Sequence, residues 1–147
     1  LAGEGTERAK LESLISELEL TQQVILLGRR DDVPDLMKLY DIFVLPSFSE
    51  GLSNTLLESM ASGTPVVASK VGGNAEIVAD GRSGYLYASD DAQGLARILI
   101  ELAREKDNCK KLGQQARQHI EDNFSIATMV KHYEDTYQAL ALTTGQS

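Results

Sequence analysis

The stretch SEGLSNTLLE, residues 49–58, holds two carboxylates, Glu50 and Glu58, with seven residues between them and a glycine directly after the first. A carboxylate accepts hydrogen bonds from hydroxyls and repels phosphate. Gly51, Leu52, Ser53, Asn54 and Thr55 follow the first acid. Gly51 lets the chain turn sharply, and Ser53 or Asn54 can cap a helix. The first N–H groups of such a helix lack internal partners and carry the positive end of its dipole, so they suit a phosphate.

The loop therefore offers donors for a diphosphate, flanked by acceptors for two polyols. Glu50 lies before the helix and Glu58 about a turn inside it, where it can take a vicinal diol as acids do for a ribose. That is the outline of a nucleoside-diphosphate sugar. An acid at a helix start also simply favours the dipole, and two glutamates at this spacing occur by chance. On chemistry alone, a ligand site and an ordinary capped helix both stay open.

Strands must position such a loop. VILLG (24–28), DIFVLPS (41–47, stopped by Pro46) and PVVAS (65–69) read as buried strands, and DGRSGYLY (80–87) as a turn and a short strand. Leu1 and Ala2 read as the end of an earlier strand. Gly3 and Gly5 read as a turn and Thr6 as the cap of a helix whose Leu11, Leu14, Ile15 and Leu18 face a core. DDVPDLMKLY starts a helix, and the helix of Leu56, Leu57 and Met60 ends at Gly63. GGNAEIV starts a short one, and helices over 91–104, about 107–122 and about 126–141 close the chain. Apolar strands alternating with helices predict an α/β fold, a Rossmann-like doubly wound parallel sheet with helices on both faces. Residues 1–142 read as one domain, which the resemblance described below makes a nucleotide-sugar (donor) binding domain, and 143–147 as a disordered tail. Ligands bind such a sheet beyond the carboxyl ends of its strands, here Gly3–Gly5, Gly28–Arg30, Pro46–Asn54 and Ser69–Asn74.

Composition narrows the classes. With 14 Lys and Arg against 22 Asp and Glu, the net charge is −8, the reverse of a nucleic-acid binder or of a segment docked on an anionic membrane. No apolar run is long enough to span a bilayer. The single cysteine, Cys109, forms no internal disulfide, which fits a reducing cytosol. Among Asp107, Asn108, Lys110 and Lys111 it reads as an incidental thiol on a helix surface. His119 and His132 read as structural.

Residues 41–87, DIFVLPSFSEGLSNTLLESMASGTPVVASKVGGNAEIVADGRSGYLY, closely resemble the signature region of retaining glycosyltransferases of the GT-B fold, the GT4 or group 1 family. The family's acid–seven–acid motif matches Glu50 and Glu58, and its proline–serine matches Pro46 and Ser47. Its small–Gly–x–Pro–Val–Val strand entry matches Ser62–Val67. Its Gly–Gly–x–x–Glu matches Gly72, Gly73 and Glu76, and its Asp–Gly–x–x–Gly matches Asp80, Gly81 and Gly84. GEGTER resembles the family's glycine turn, and GRRDDVPDLM its loop before the next helix.

The resemblance implies the C-terminal, donor-binding half of a GT-B enzyme, truncated at its N-terminal strands. Transfer from a UDP-, GDP- or ADP-sugar to a saccharide or lipid-linked acceptor is implied, in polysaccharide or glycoconjugate biosynthesis, with no metal. By family analogy Glu50 is the catalytic-site acid on the transferred sugar's hydroxyls, and Glu58 holds the ribose. Gly51, Leu52, Ser53, Asn54 and Thr55 serve the diphosphate, and Gly28 and Arg29 lie against the base. Arg29 and Arg30 read equally as solvated surface charges, and Gly72–Gly73 as a structural turn near the sugar.

The sequence departs from the family's pattern in lacking the Arg and Lys of the first strand–helix unit, which would precede Leu1, and the acceptor domain. The chain alone is therefore expected to turn over nothing and to retain weakened nucleotide binding. Its partners are the sugar nucleotide, the acceptor domain and, through an exposed sheet edge, a second copy. The expected location is the cytoplasm, the full-length enzyme at most peripheral at the inner membrane face. A non-catalytic nucleotide-binding or interaction module of the same fold is the alternative. A dinucleotide enzyme is disfavoured, because the run from Gly3 to Arg8 lacks a third glycine.

Overall fold

The computed structural model describes residues 1–144, so 145–147 of the expected tail lie outside the described residues, while Thr143 and Thr144 close the last helix. The chain divides into two compact units, Leu1–Leu36 and the remainder from Met37.

In the first unit, α1 spans Arg8–Glu17. Its N-cap is Glu7, without a side-chain cap bond, in place of the expected Thr6. The helix buries no residue. Leu11, Leu14 and Leu18, read as core-facing, are exposed, Leu14 to 49%. Exposed ion pairs of Arg8 with Glu4 and Glu12, and of Lys10 with Glu7, lace its surface instead. The segment 24–28 does not form the predicted strand. A ladder needs a neighbour, and within this unit Leu1–Gly3 supply two bonds, Leu27 N to Leu1 O and Gly3 N to Gly28 O, both 2.8 Å. A single parallel bridge, Ala2 with Gly28, results. A short helix, α2 (Val33–Met37), runs across the division.

The second unit follows the predicted alternation. Three strands, β1 (Phe43–Leu45), β2 (Val66–Ser69) and β3 (Tyr85–Tyr87), pair in parallel in that order. Phe43 registers with Val66, and Val67 with Tyr85. The helices are α3 (Asn54–Ala61), α4 (Asn74–Ile77), α5 (Ala92–Arg104), α6 (Lys106–Asn123) and α7 (Ile126–Thr144).

Side chains alternate across a strand, and β2 shows both faces covered. Val66 and Ala68 pack with Leu56 and Met60 of α3, Ile77 of α4 and Ala116 and Ile120 of α6. Val67 packs on the other face with Leu102 of α5 and Cys109 and Leu112 of α6. Cys109 is thus buried, not on a helix surface: it falls on the stripe Cys109, Leu112, Gly113, Ala116, Ile120 that α6 buries. Burial, and then the nearby Asp41 carboxylate, push its thiol above the ordinary value. His119 has the structural place expected of it, its Nε2 3.0 Å from the Ile77 carbonyl. Among the described residues no helix is long and apolar enough to cross a membrane.

Candidate functional site

The carboxyl ends of β1 and β2 lie side by side, so the loops that leave them are neighbours. The first loop, 46–53, carries Glu50 and leads into α3. Ser53 is the N-cap: extended at φ −82°, ψ 106°, it accepts from the Leu56 amide through Oγ. That bond is 3.3 Å long, and Ser53 Oγ also lies 3.2 Å from Thr55 Oγ1. Asn54, the alternative cap, is instead the first helical residue. The amides of Asn54 and Thr55, in the first turn, have no partner within the helix. Gly51, Leu52, Asn54, Thr55 and Glu58 are exposed, while Ser53 is buried beneath them.

Glu50 is half-buried, and three features fix it. Ser47 Oγ donates to its Oε1 at 2.6 Å. Ser69, at the end of β2 and fully buried, donates through Oγ to the Ser47 carbonyl at 2.6 Å. The second loop, 70–73, then crosses the backbone behind Glu50, and Gly73 N donates to Gly51 O at 2.9 Å. Only glycine permits that crossing. A Cβ on Gly72, whose φ is +47°, would stand 1.8 Å from the Glu50 carbonyl oxygen, and one on Gly73 2.2 Å from that of Gly51.

Asn74 closes the network from below, donating from Nδ2 to the Ser69 carbonyl at 3.0 Å. Among the described residues, its Oδ1 and Ser59 Oγ are buried without a hydrogen-bond partner. Sequence reasoning placed Ser47, Ser69 and Asn74 in the ligand-facing loops and in the motif match but gave their side chains no role. The signal was a polar residue ending the apolar run VVAS and another three residues before Glu50.

Glu50 and the α3 N-terminus are therefore brought together as read, with Glu58 one turn further along the exposed side. Gly28 and Arg29 belong to the first unit. Gly28 adopts the left-handed φ of +67°. Arg29 is 86% exposed, with Asp31 at 3.9 Å, which agrees with a solvated charge. The neighbouring Arg30 guanidinium bonds the Asp32 carboxylate and holds it below the ordinary carboxylate value. Among the described residues no group of three or more His, Cys, Asp and Glu side chains could hold a metal ion.

What this arrangement offers chemically is a fixed carboxylate beside a capped helix start: acceptors for hydroxyls next to donors for an anion.

The comparisons with known proteins agree with the fold. The family model "Glycosyl transferases group 1" matches residues 1–119. N-acetyl-alpha-D-glucosaminyl L-malate synthase of Bacillus anthracis is 32% identical over 137 residues, 93% of this chain and 36% of that protein. The crystal structure of HepE from Anabaena in complex with UDP superposes with a TM-score of 0.85 at 28% identity, over 95% of this chain and 40% of HepE. The C-terminal domain of a glycosyl transferase group 1 family protein, LpcC of Francisella tularensis, gives 0.76 at 29% identity, over 81% of this chain and 63% of that domain. The chain thus spans little more than a third of the curated relative's length. Its α/β fold, a parallel sheet flanked by helices, is that of a half-domain of the GT-B glycosyltransferases. The chain belongs to the group 1 glycosyl transferase family.

Proposed function

We propose that the second unit binds the donor of a glycosyl transfer, a nucleoside-diphosphate sugar, at the start of α3. The observation that carries this is the fixed Glu50 carboxylate directly before the Ser53-capped helix. In this reading Glu50 takes hydroxyls of the transferred sugar and Glu58 the ribose diol. The backbone of Gly51, Leu52, Ser53 and Asn54, with the Thr55 hydroxyl, receives the diphosphate. No metal enters; the helix N-terminus supplies the positive end. Among UDP, GDP and ADP we favour uridine, because HepE is known with UDP and with UDP-glucose.

The reaction we propose is a retaining transfer to a saccharide or lipid-linked acceptor in the cytoplasm, in polysaccharide or glycoconjugate biosynthesis. An oxocarbenium-like sugar forms as the nucleoside diphosphate departs, and electrostatic stabilisation of that leaving group lowers the barrier. Cations for the diphosphate and a site for the acceptor come from residues outside this chain, so the chain alone binds and does not turn over.

Titrating the nitrogen-15-labelled chain with UDP, GDP and ADP tests the reading. UDP is expected to move the amides of residues 51–58 together, and Glu58→Ala to weaken binding about tenfold, the loss of a hydrogen bond to a charged group. If none of the three nucleotides moves those amides at millimolar concentration, the assignment is wrong. Binding that neither Glu50→Ala nor Glu58→Ala alters, with a sugar nucleotide as ligand, would favour a non-catalytic module.

A further inference from the structure

We propose that Ser47 and Ser69 are positioning residues that aim the Glu50 carboxylate, and thereby set the preference for a sugar-bearing nucleotide over the bare nucleotide. The inference rests on the donor-site reading above and goes beyond it, since neither serine touches the ligand in that reading.

The geometry is a relay across two loops. Asn74 Nδ2 holds the Ser69 carbonyl at 3.0 Å, Ser69 Oγ holds the Ser47 carbonyl at 2.6 Å, and Ser47 Oγ holds Glu50 Oε1 at 2.6 Å. Ser69 and Asn74 are fully buried, so the base of the relay is packed and its tip meets solvent. A half-exposed glutamate can satisfy its charge with water and does not need Ser47 to be stable there. What the serine hydroxyl adds is direction. It occupies one lone-pair site on Oε1, and among the described residues no other side chain bonds the carboxylate. The half-buried carboxylate keeps its remaining acceptor sites for a ligand's hydroxyls, with rotamer entropy already lost before a sugar arrives. A carboxylate aimed in advance favours the ligand that carries hydroxyls, and UDP without a sugar gains nothing from it.

The test compares dissociation constants of the chain for UDP with those for UDP-glucose and UDP-N-acetylglucosamine, carrying forward the sugar nucleotide that binds more tightly. Wild type, Ser47→Ala, Ser47→Thr and Ser69→Ala are measured, with Ser62→Ala as a control at the far end of α3. Ser47→Ala is expected to weaken the sugar nucleotide about tenfold, the loss of one charge-assisted bond, while UDP stays within about twofold. Ser47→Thr keeps the hydroxyl and is expected to restore the ratio. Ser69→Ala shifts the ratio in the same direction by less, and Ser62→Ala not at all. Parallel weakening of UDP and its sugar form in Ser47→Ala marks a merely structural serine and overturns the inference, as does an unchanged ratio. A wild-type chain that binds UDP but gains nothing from the sugar overturns it too, leaving the nucleotide site standing. A wild-type chain that binds neither overturns the donor-site reading and this inference with it.

Discussion

The Gly73 amide reaches the Gly51 carbonyl across 2.9 Å, which bonds the β2–α4 loop to the backbone immediately after Glu50. Gly72, at a φ of +47°, runs against the Glu50 carbonyl, whose oxygen a Cβ on Gly72 would meet at 1.8 Å. The two glycines thus bring two parallel-strand loops into backbone contact, and the Glu50 side chain stands on that junction.

Alanine at either glycine separates the loops. A Cβ on Gly72 or Gly73 would meet backbone oxygen at 1.8 or 2.2 Å, atoms that cannot swing away as a flexible side chain could. We expect Gly72→Ala and Gly73→Ala each to cost about 3 kcal/mol or more. Gly63→Ala is the comparison, with φ +81° but its nearest neighbour 3.9 Å away. It should cost only the left-handed backbone penalty, about 1–2 kcal/mol. Urea denaturation of the three variants checks the order.

Much of the second unit was legible in the sequence because its signals are local. A short apolar run ending in serine, a small polar cap and a terminating glycine each act within a few positions: β2 and Gly63 appear where they were read, and Ser53 is the one of the two candidate caps that is used. The Cys109 error was avoidable: its sequence neighbours are charged, but its neighbours three, four, seven and eleven positions on are apolar or small, which marks a buried helical stripe. The first unit failed for a different reason. Strand pairing is non-local, and within its own unit VILLG pairs with Leu1–Gly3 through a single bridge, too little to make a strand. The relay through Ser47, Ser69 and Asn74 was invisible for a third reason. Serine at a strand end and asparagine at a helix start are common, and only the register of β1 against β2 shows that they converge on Glu50.

Ser53 carries both stability and the proposed anion site. Its Oγ is the side-chain acceptor at the start of α3, and it is nearly fully buried. Ser53→Ala is expected to cost about 0.5–2 kcal/mol, and Ser53→Thr or Ser53→Asp much less. Thermal melts of the three variants measure this directly. Ser53→Asp should in addition weaken UDP binding, because a second negative charge faces the diphosphate.

Cys109 makes stability fall at alkaline pH. Burial, reinforced by Asp41, raises its folded pKa above the ordinary 9.0. Its stabilising contribution is therefore complete below pH 9 and is lost as pH rises through the folded value. Tyr87, raised from 10.0 by burial, acts in the same direction at higher pH. Urea midpoints at pH 7 and pH 10 should differ more in wild type than in Cys109→Ala. The thiol should also stay unreactive toward an alkylating reagent until the second unit unfolds. An equal loss in both proteins would assign the alkaline instability elsewhere.

Ser59 predicts a gain. It lies fully buried on α3, and among the described residues its Oγ has no hydrogen-bond partner. A buried hydroxyl without a partner has given up its water for nothing, a cost of about 1–3 kcal/mol, and serine is also a weaker helix former than alanine. Removing one oxygen leaves a void smaller than a methyl group, so little packing is lost in return. Ser59→Ala is therefore expected to stabilise the chain by about 1 kcal/mol, read as a higher urea midpoint at unchanged slope. Since Ser59 lies outside the relay that holds Glu50, the affinities for UDP and for its sugar form should not move. A destabilised Ser59→Ala would mean that the hydroxyl is satisfied in solution, by a water held between α3 and its neighbours, and Ser59→Val would then cost still more.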